Sequence, residues 1–495
     1  MKKQDYRMKL GTILFFLLCC FGGNAQQKRT FTLSEVIDLA QKQSPSAISA
    51  RHSFQASYWE YRSYRANLLP SLTLTSSPNL IRNENQITLE NGKKKFVMQE
   101  QVNVDATLTL NQNIPWTGGQ LFVRSRIQRA DELSDHSFSY NTEPVIIGYS
   151  QNLFGYNSLK WQMKTQPLYF EQAKKNYVES MELVASQACS KFFQLAGAQS
   201  DLITARINSA NADTLYQFAQ GRYNIGTITE NDLLQLEINK LQSEKEVIEA
   251  ESNVNYYQQR LRSYLGLNDG VELELVIEDS VPSLNVDVEQ AMALTLQNSP
   301  DVLELRIKRL ESESNVAYAK ANRGLKADVY AQFGLTKTSD DIKTAYDNTI
   351  QQQYVSLGIT VPILDWGNGK GKVKVAKSRL ELTNAQIDQT QNDIEENVLQ
   401  TVWQFNLQGS VIRIASKAAN IAQKHHDVTQ RLYLLGKSTI LDLNAAISGK
   451  DSKKRAFINA LSSYWGLYYT LRSITLYDFE RQEPLTENWV FLLNK

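Results

Sequence analysis

The side chains able to do chemistry are few, and they are badly spaced for catalysis. His425 and His426 are neighbours, so on a helix they diverge by about 100°. A metal-binding pair wants i, i+4 spacing, and the two read instead as a solvated helix face. The stretch GNGKGK at 367–372 invites a phosphate cradle but has neither of the glycine spacings that build one; at a strand-to-helix junction it reads as a turn. No Ser-His-Asp, Cys-His or paired-carboxylate constellation emerges, so no enzyme activity, cofactor or metal is expected. What remains is two aspartates, Asp232 and Asp442, placed alike in YNIGTITENDL from Tyr223 and YLLGKSTILDL from Tyr433. By residue type alone, each is an early-helix carboxylate favoured by the helix dipole.

Those aspartates sit 210 residues apart because most of the chain is duplicated. At that shift Tyr223, Gly226, Asp232 and Leu233 fall on Tyr433, Gly436, Asp442 and Leu443, and Leu261-Arg262-Ser263 falls on Leu471-Arg472-Ser473. QNLFGYNSLK from Gln151 lies over VPILDWGNGK from Val361. The beginnings align at a shift of 255 instead, QKQSPSAISAR over LQNSPDVLELR. The first copy therefore holds about 45 extra residues somewhere in 80–144.

Each copy reads as helix, strands, very long helix, turn, helix. Ser44-Pro45 and Ser299-Pro300 are N-cap and first-turn proline. Strand periodicity follows: VYAQFGL puts Val329, Ala331, Phe333 and Leu335 on one face, YVSLGITV does the same with Val355, Leu357 and Ile359, and VNVDATLTLNQNI with Val102 to Leu110. Strict alternation marks a sheet wet on one side and suits lipid-out, water-in membrane strands. After Gly371 the period turns helical, with Val373, Ala376, Leu380, Ile387, Ile394, Val398, Val402 and Phe405 as a narrow stripe, a coiled-coil seam with solvated flanks. Each long helix would run roughly 95 Å, and the helix after each turn ~54 Å. Trp116, Phe154, Tyr156, Trp161 and Trp366 cluster where strands meet helices; a membrane-interface belt is the preferred reading and core packing the alternative.

The division expected is a signal peptide over 1–25 and a first repeat over 26–265, with helix 45–67, strands 70–154 including the extra segment, and a helical hairpin over 157–265. An equatorial linker follows over 266–286. The second repeat is 287–477, with helix 300–322, strands 327–364 and a hairpin over 370–476, and a tail covers 478–495. The leader has basic residues up to Lys9, the apolar run LGTILFFLLCCFGG, and small residues before a cut after Ala25. The alternative is a lipoprotein signal at Cys19 or Cys20, for which Leu18 and Cys19 are poor preceding residues. Cys189 would then be the single cysteine left, a small buried residue. With 53 basic and 52 acidic residues and net charge +1, no pull toward nucleic acid is expected. No later segment is apolar enough for a spanning helix, so membrane entry would be by strands.

Two strands from the second copy plus two from the first, or four if the extra segment adds a hairpin, cannot close a barrel, and lipid does not tolerate open edges. Chains must pool strands; three with four each would give 12. These features resemble the TolC-like outer-membrane efflux family over essentially the whole mature chain, on the paired Ser-Pro helix starts, the strands ending in QNLFGYN or VPILDWG, and the two glycine turns. The resemblance implies an α+β membrane protein: long coiled-coil hairpins forming a periplasmic α-barrel, and antiparallel strands contributing to a shared trimeric transmembrane β-barrel. It implies a passive outer-membrane exit channel of a Gram-negative tripartite efflux pump for small molecules, homotrimeric and embedded in outer-membrane lipid. Its partners would be a periplasmic adaptor and an inner-membrane transporter of RND or ABC type. Type I protein secretion is the alternative, and a periplasmic coiled-coil scaffold a further one. By position, Ile225-Gly226-Thr227 and Leu435-Gly436-Lys437 match adaptor-docking tips, Asp442 matches a carboxylate ring narrowing the tunnel entrance, and Tyr433 and Asp232 match latch partners. Ser438 and Ala445 stand where a latching arginine and a second aspartate ring occur in the family, which implies a weaker latch and lower cation selectivity.

Overall fold

The computed structural model describes residues 27–134, 136–267, 271–278, 280–487 and 489. The expected leader with Cys19 and Cys20, and the last residues of the expected tail, lie outside the described residues. The chain divides into two units, each drawn from both sequence copies. One comprises residues 54–174 and 300–393; the other comprises the chain up to 53, 175–299 and 394 onward.

The first unit carries the alternating segments. They form β2 (Ser71–Thr75), β3 (Asn79–Thr88), β4 (Lys94–Ile114), β5 (Gly119–Glu132), β6 (Ser137–Asn152), β8 (Lys326–Ser339) and β9 (Ile350–Thr360). Their order is β2-β4-β5-β6-β8-β9, antiparallel throughout. β2 and β3 share one position: 71–75 pair with 107–111, and 79–88 with 94–103 on the same side of β4. The sheet is therefore six strands wide among the described residues. Of the two counts left open by the sequence, four strands from the first copy is the one observed. The figure of 12 for three chains took four strands from each, whereas the sheet of this chain is six strands wide. The extra residues are the hairpin β4–β5, and they lie inside the sheet between β2 and β6.

Alternation places one set of side chains on each face. Paired positions share a face, so Leu74, Leu108, Ser125 and Leu110, Val123, Ile147 run on into Phe333, Val355 and Leu357. On this face Leu74, Leu357 and Ile359 are 72, 58 and 60% exposed. The opposite face carries Thr73, Thr109, Arg124, Gln332 and Tyr354 in matching rows. β6 is irregular between Thr142 and Ile146, where Pro144 cannot donate to a ladder. β9 ends at Thr360, short of Pro362, for the same reason.

Helices of this unit flank the sheet's chain ends. They are α2 (Pro45–Ala66, from residue 54), α6 (Pro300–Ala321), and the starts of α3 (Ser158–Asn224) and α7 (Asn368–Leu434). Phe170 stacks on Tyr61 at 4.7 Å between centroids, and Tyr169 hydrogen-bonds Glu311, so α3 has α2 and α6 as neighbours.

The second unit is helical. It holds α1 (Leu33–Gln43), the remainder of α3 and α7, α4 (Glu230–Leu265), α5 (Val288–Asn298) and α8 (Ile440–Thr475). The repeat reappears as equal lengths: α3 and α7 have 67 residues each, and α4 and α8 have 36. The seam Val398, Val402 and Phe405 is buried, with Phe405 against Tyr464 and Tyr468. Two additions escaped the sequence reading. α1 and α5 precede the Ser-Pro helices, with Thr32 and Asp287 as N-caps. The segment 266–286, expected as a linker, contains β7 (Val271–Leu275), which pairs in parallel with β1 (Gln27–Phe31). After α8 comes a short antiparallel pair, β10 (Tyr477–Asp478) and β11 (Glu483–Pro484).

Candidate functional site: the paired hairpin tips

The two similar stretches fold into two similar turns in the second unit. At the first, the amide of Gly226 bonds the carbonyl of Tyr223 at 2.8 Å, and that of Thr227 bonds Arg222 at 2.9 Å. At the second, Gly436 bonds Tyr433 at 2.9 Å and Lys437 bonds Leu432 at 2.8 Å. This double closure satisfies the last helix carbonyls and needs a left-handed residue at its centre. Gly226 and Gly436 supply it with φ of 72° and 71°, where a Cβ would be strained.

The returning helices begin with identical devices. Thr229 caps α4 and Thr439 caps α8; each hydroxyl accepts the amide of the aspartate three residues on, at 3.2 Å in both. Asp232 reciprocates on the hydroxyl and amide of Thr229 at 2.8 and 3.3 Å. Asp442 Oδ2 accepts the Thr439 hydroxyl at 2.6 Å, its amide at 3.0 Å and the Ser438 hydroxyl at 3.3 Å. Both carboxylates thus complete capping boxes. The Thr439 hydroxyl and amide, with Ser438 contributing, hold the Asp442 carboxyl below the ordinary value of 3.8, so it is ionised at neutral pH.

The tips are fastened to one another by a small core. Leu215, Ala219, Leu236 and Leu443 are buried together, with Leu233, Tyr433 and Ile440 packed against them. Tyr433 is half-buried, and that burial raises its pKa. Arg222 opposes the rise and Asp232 adds to it, so the three expected or newly evident polar groups share one corner. A Cβ on Gly436 would lie 3.9 Å from the Arg222 guanidinium. Sequence reading missed Arg222, although its signal was there: a cation one residue before Tyr223, in the last turn of α3. Outward from this core Ile225, Leu435 and Leu441 are 73, 69 and 73% exposed, while Thr227 and Lys437 occupy matched positions after the glycines.

Behind the tips the four helices enclose a cavity of about 370 Å³ lined by Asn239, Asn444, Gln430, Asp451 and His426. The expectation of a solvated histidine pair is corrected here: His425 is exposed, but His426 is buried with Nδ1 3.0 Å from Asp427 Oδ1. The 100° step between neighbours turns one ring inward and the other out.

In the first unit the five aromatic residues separate. Trp116, Phe154 and Trp366 are exposed at the ends of strands or just beyond. Tyr156 is half-buried, its hydroxyl 2.5 Å from that of Ser314 and its ring edge-on to Tyr318. Trp161 is half-buried beneath the Lys164 ammonium, 4.4 Å from its ring centre.

A family described as outer membrane efflux protein matches residues 36–267 and 291–475. No curated protein matches by sequence. Among solved structures, the Campylobacter jejuni CmeC outer membrane channel is 15% identical, with TM-score 0.64, 93% of this chain and 88% of that one covered. The outer membrane protein VceC of Vibrio cholerae gives 15%, 0.63, 92% and 96%. The open state of the Neisseria gonorrhoeae MtrE outer membrane channel gives 14%, 0.59, 92% and 89%.

Proposed function

Given that the chain belongs to the outer membrane efflux protein family, we propose that it is the passive exit duct of a tripartite pump, working as a homotrimer in outer-membrane lipid. A periplasmic adaptor meets the tips, and an inner-membrane transporter of RND or ABC type delivers small molecules. The observation that carries this is the sheet: one face presents exposed apolar side chains on each strand, the other is richer in polar ones, and both edges are unpaired among the described residues. Such a surface is stable only where hydrocarbon covers the apolar face and further strands cover the edges.

The hairpin tips supply the rest. Ile225 and Leu435 stand exposed beside the left-handed glycines, apolar knobs available to an adaptor's helices, with Thr227 and Lys437 beside them. Asp442 is a carboxylate, ionised at neutral pH, on the returning helix; brought round a three-fold axis, three copies would attract cations and repel one another, which favours opening. Tyr433, with Arg222 and Asp232, forms the corner where one hairpin holds the other. Trp116, Phe154 and Trp366 suit a membrane-interface belt.

The test is extraction and mass. Membranes washed without detergent should retain the protein, and native mass spectrometry of the detergent-solubilised material should give three chains. A monomer released by washing alone would sink the duct reading.

A further inference from the structure

We infer that three copies of this chain close an 18-stranded barrel, each copy's β2–β3 edge pairing with the β9 edge of the next. The inference rests on the trimeric duct reading and adds the strand count, the joining edges and the width.

Three observations carry it. The hairpin β4–β5 is not a flap: 101–114 of β4 pair continuously with 119–132 of β5, and β5 pairs with β6 along nearly its whole length. Its apolar residues Leu108, Leu110 and Val123 continue the rows of Leu74 and Leu72 on β2 and Ile147 on β6, and about 11 residues from 102 to 112 suffice for one crossing of hydrocarbon. A hairpin lying in water outside the membrane has no reason to keep that alternation.

The second observation is parity. β2 leads away from the helices and β9 returns toward them, so placing β9 of one copy beside β2 of the next continues the antiparallel order without a break. A heterologous contact of this kind closes into a ring by rotation and removes both edges.

The third is width. Strands about 4.8 Å apart and tilted by ~40° occupy roughly 38 Å of circumference when six are side by side, and ~25 Å when there are four. The same unit supplies four helical segments, in α2, α3, α6 and α7, which at 8–10 Å spacing occupy roughly 32–40 Å. Six strands side by side span about the same arc. The resulting barrel is about 1.5 times wider than one of 12 strands, in the range that leaves an aqueous channel. The inserted hairpin brings Asp105, Thr107, Thr109, Arg124 and Arg126 to the inner wall, with Arg124 3.4 Å from Glu143 of β6.

The experiment is cryo-electron microscopy of the full-length protein in nanodiscs, with native mass spectrometry of the same sample and cysteine labelling of the hairpin. The expected result is a three-chain mass and 18 strands in cross-section. Leu108→Cys and Val123→Cys should react with a bilayer-confined maleimide, and Thr107→Cys and Thr109→Cys with a water-soluble one. A three-chain mass with 12 strands, or with both hairpin faces labelled from water, would overturn the inference and leave the duct intact. Absence of a trimer would overturn both.

Discussion

At the scale of residues, substitution can separate the capping role of Asp442 from the constriction role proposed for it. Asp442 caps its own helix through Oδ2, and Asn keeps most of that geometry while removing the charge. In planar bilayers Asp442→Asn should weaken block by multivalent cations at pH 7; unchanged block would remove Asp442 from the constriction. The pH dependence has a definite sign. Because the native carboxyl titrates below its ordinary 3.8, its contribution is complete above about pH 4 and is lost as pH falls through the native value. The protection of amides at the start of α8, relative to their intrinsic exchange rates, should therefore fall only in acid, and Thr439→Ala, costing ~1 kcal/mol of cap, should bring that fraying up to neutral pH. Cys189 gives a control: burial pushes its thiol up to about 12, so it should resist maleimide in the native protein and react once the chain is unfolded.

At the scale of elements, the two tips stand or fall on their glycines and the hairpin base on an ion cluster. Gly226→Ala and Gly436→Ala each force a Cβ into a left-handed turn, at about 1 kcal/mol apiece. The expected outcome is faster exchange of amides 222–232 or 432–442 alone, with assembly with the adaptor weakened and the sheet unaffected. In the helical unit Arg472 bonds Glu182 at 2.7 and 3.0 Å and Asp478 at 2.5 Å, while Tyr468 donates to Asp478 at 3.0 Å. Burial opposes the charge of Asp478, but the Arg481 amide, Arg472 and the Tyr468 hydroxyl hold its pKa below the ordinary range. Arg472→Met strands two buried carboxylates, and removing one partner of such a pair costs about 3–5 kcal/mol. Thermal unfolding in detergent should show the loss at neutral pH, and the difference from wild type should shrink in acid as the Asp478 carboxyl is protonated.

At the scale of the whole molecule, the inserted hairpin is a removable module. β2–β3 runs outward and β6 inward, as β8 and β9 do, so joining residue 88 to 134 preserves every strand direction. The variant lacking 89–133 should still form trimers, now with four strands per chain, and its barrel should be about two-thirds as wide. Negative-stain or cryo-electron images of the trimer would read the change; an unaltered diameter would show that the hairpin lies outside the wall.

The sequence by itself determined the duplication, the alternating and heptad-like periods, the two glycine turns and their aspartates. These are properties of spacing along the chain, set by 2.0 and 3.6 residues per repeat. It also located the extra residues, because a change of offset needs no coordinates. It did not decide where those residues go, because alternation says which face a side chain takes but not which strand lies alongside. Nor did it show that Arg222 lies against the Gly436 turn of the other hairpin, that His426 turns inward, or that 271–275 pairs with 27–31. Those are contacts between segments far apart in the chain, and only the ladder of backbone hydrogen bonds and the packing of helix faces select among the neighbours that local pattern leaves open.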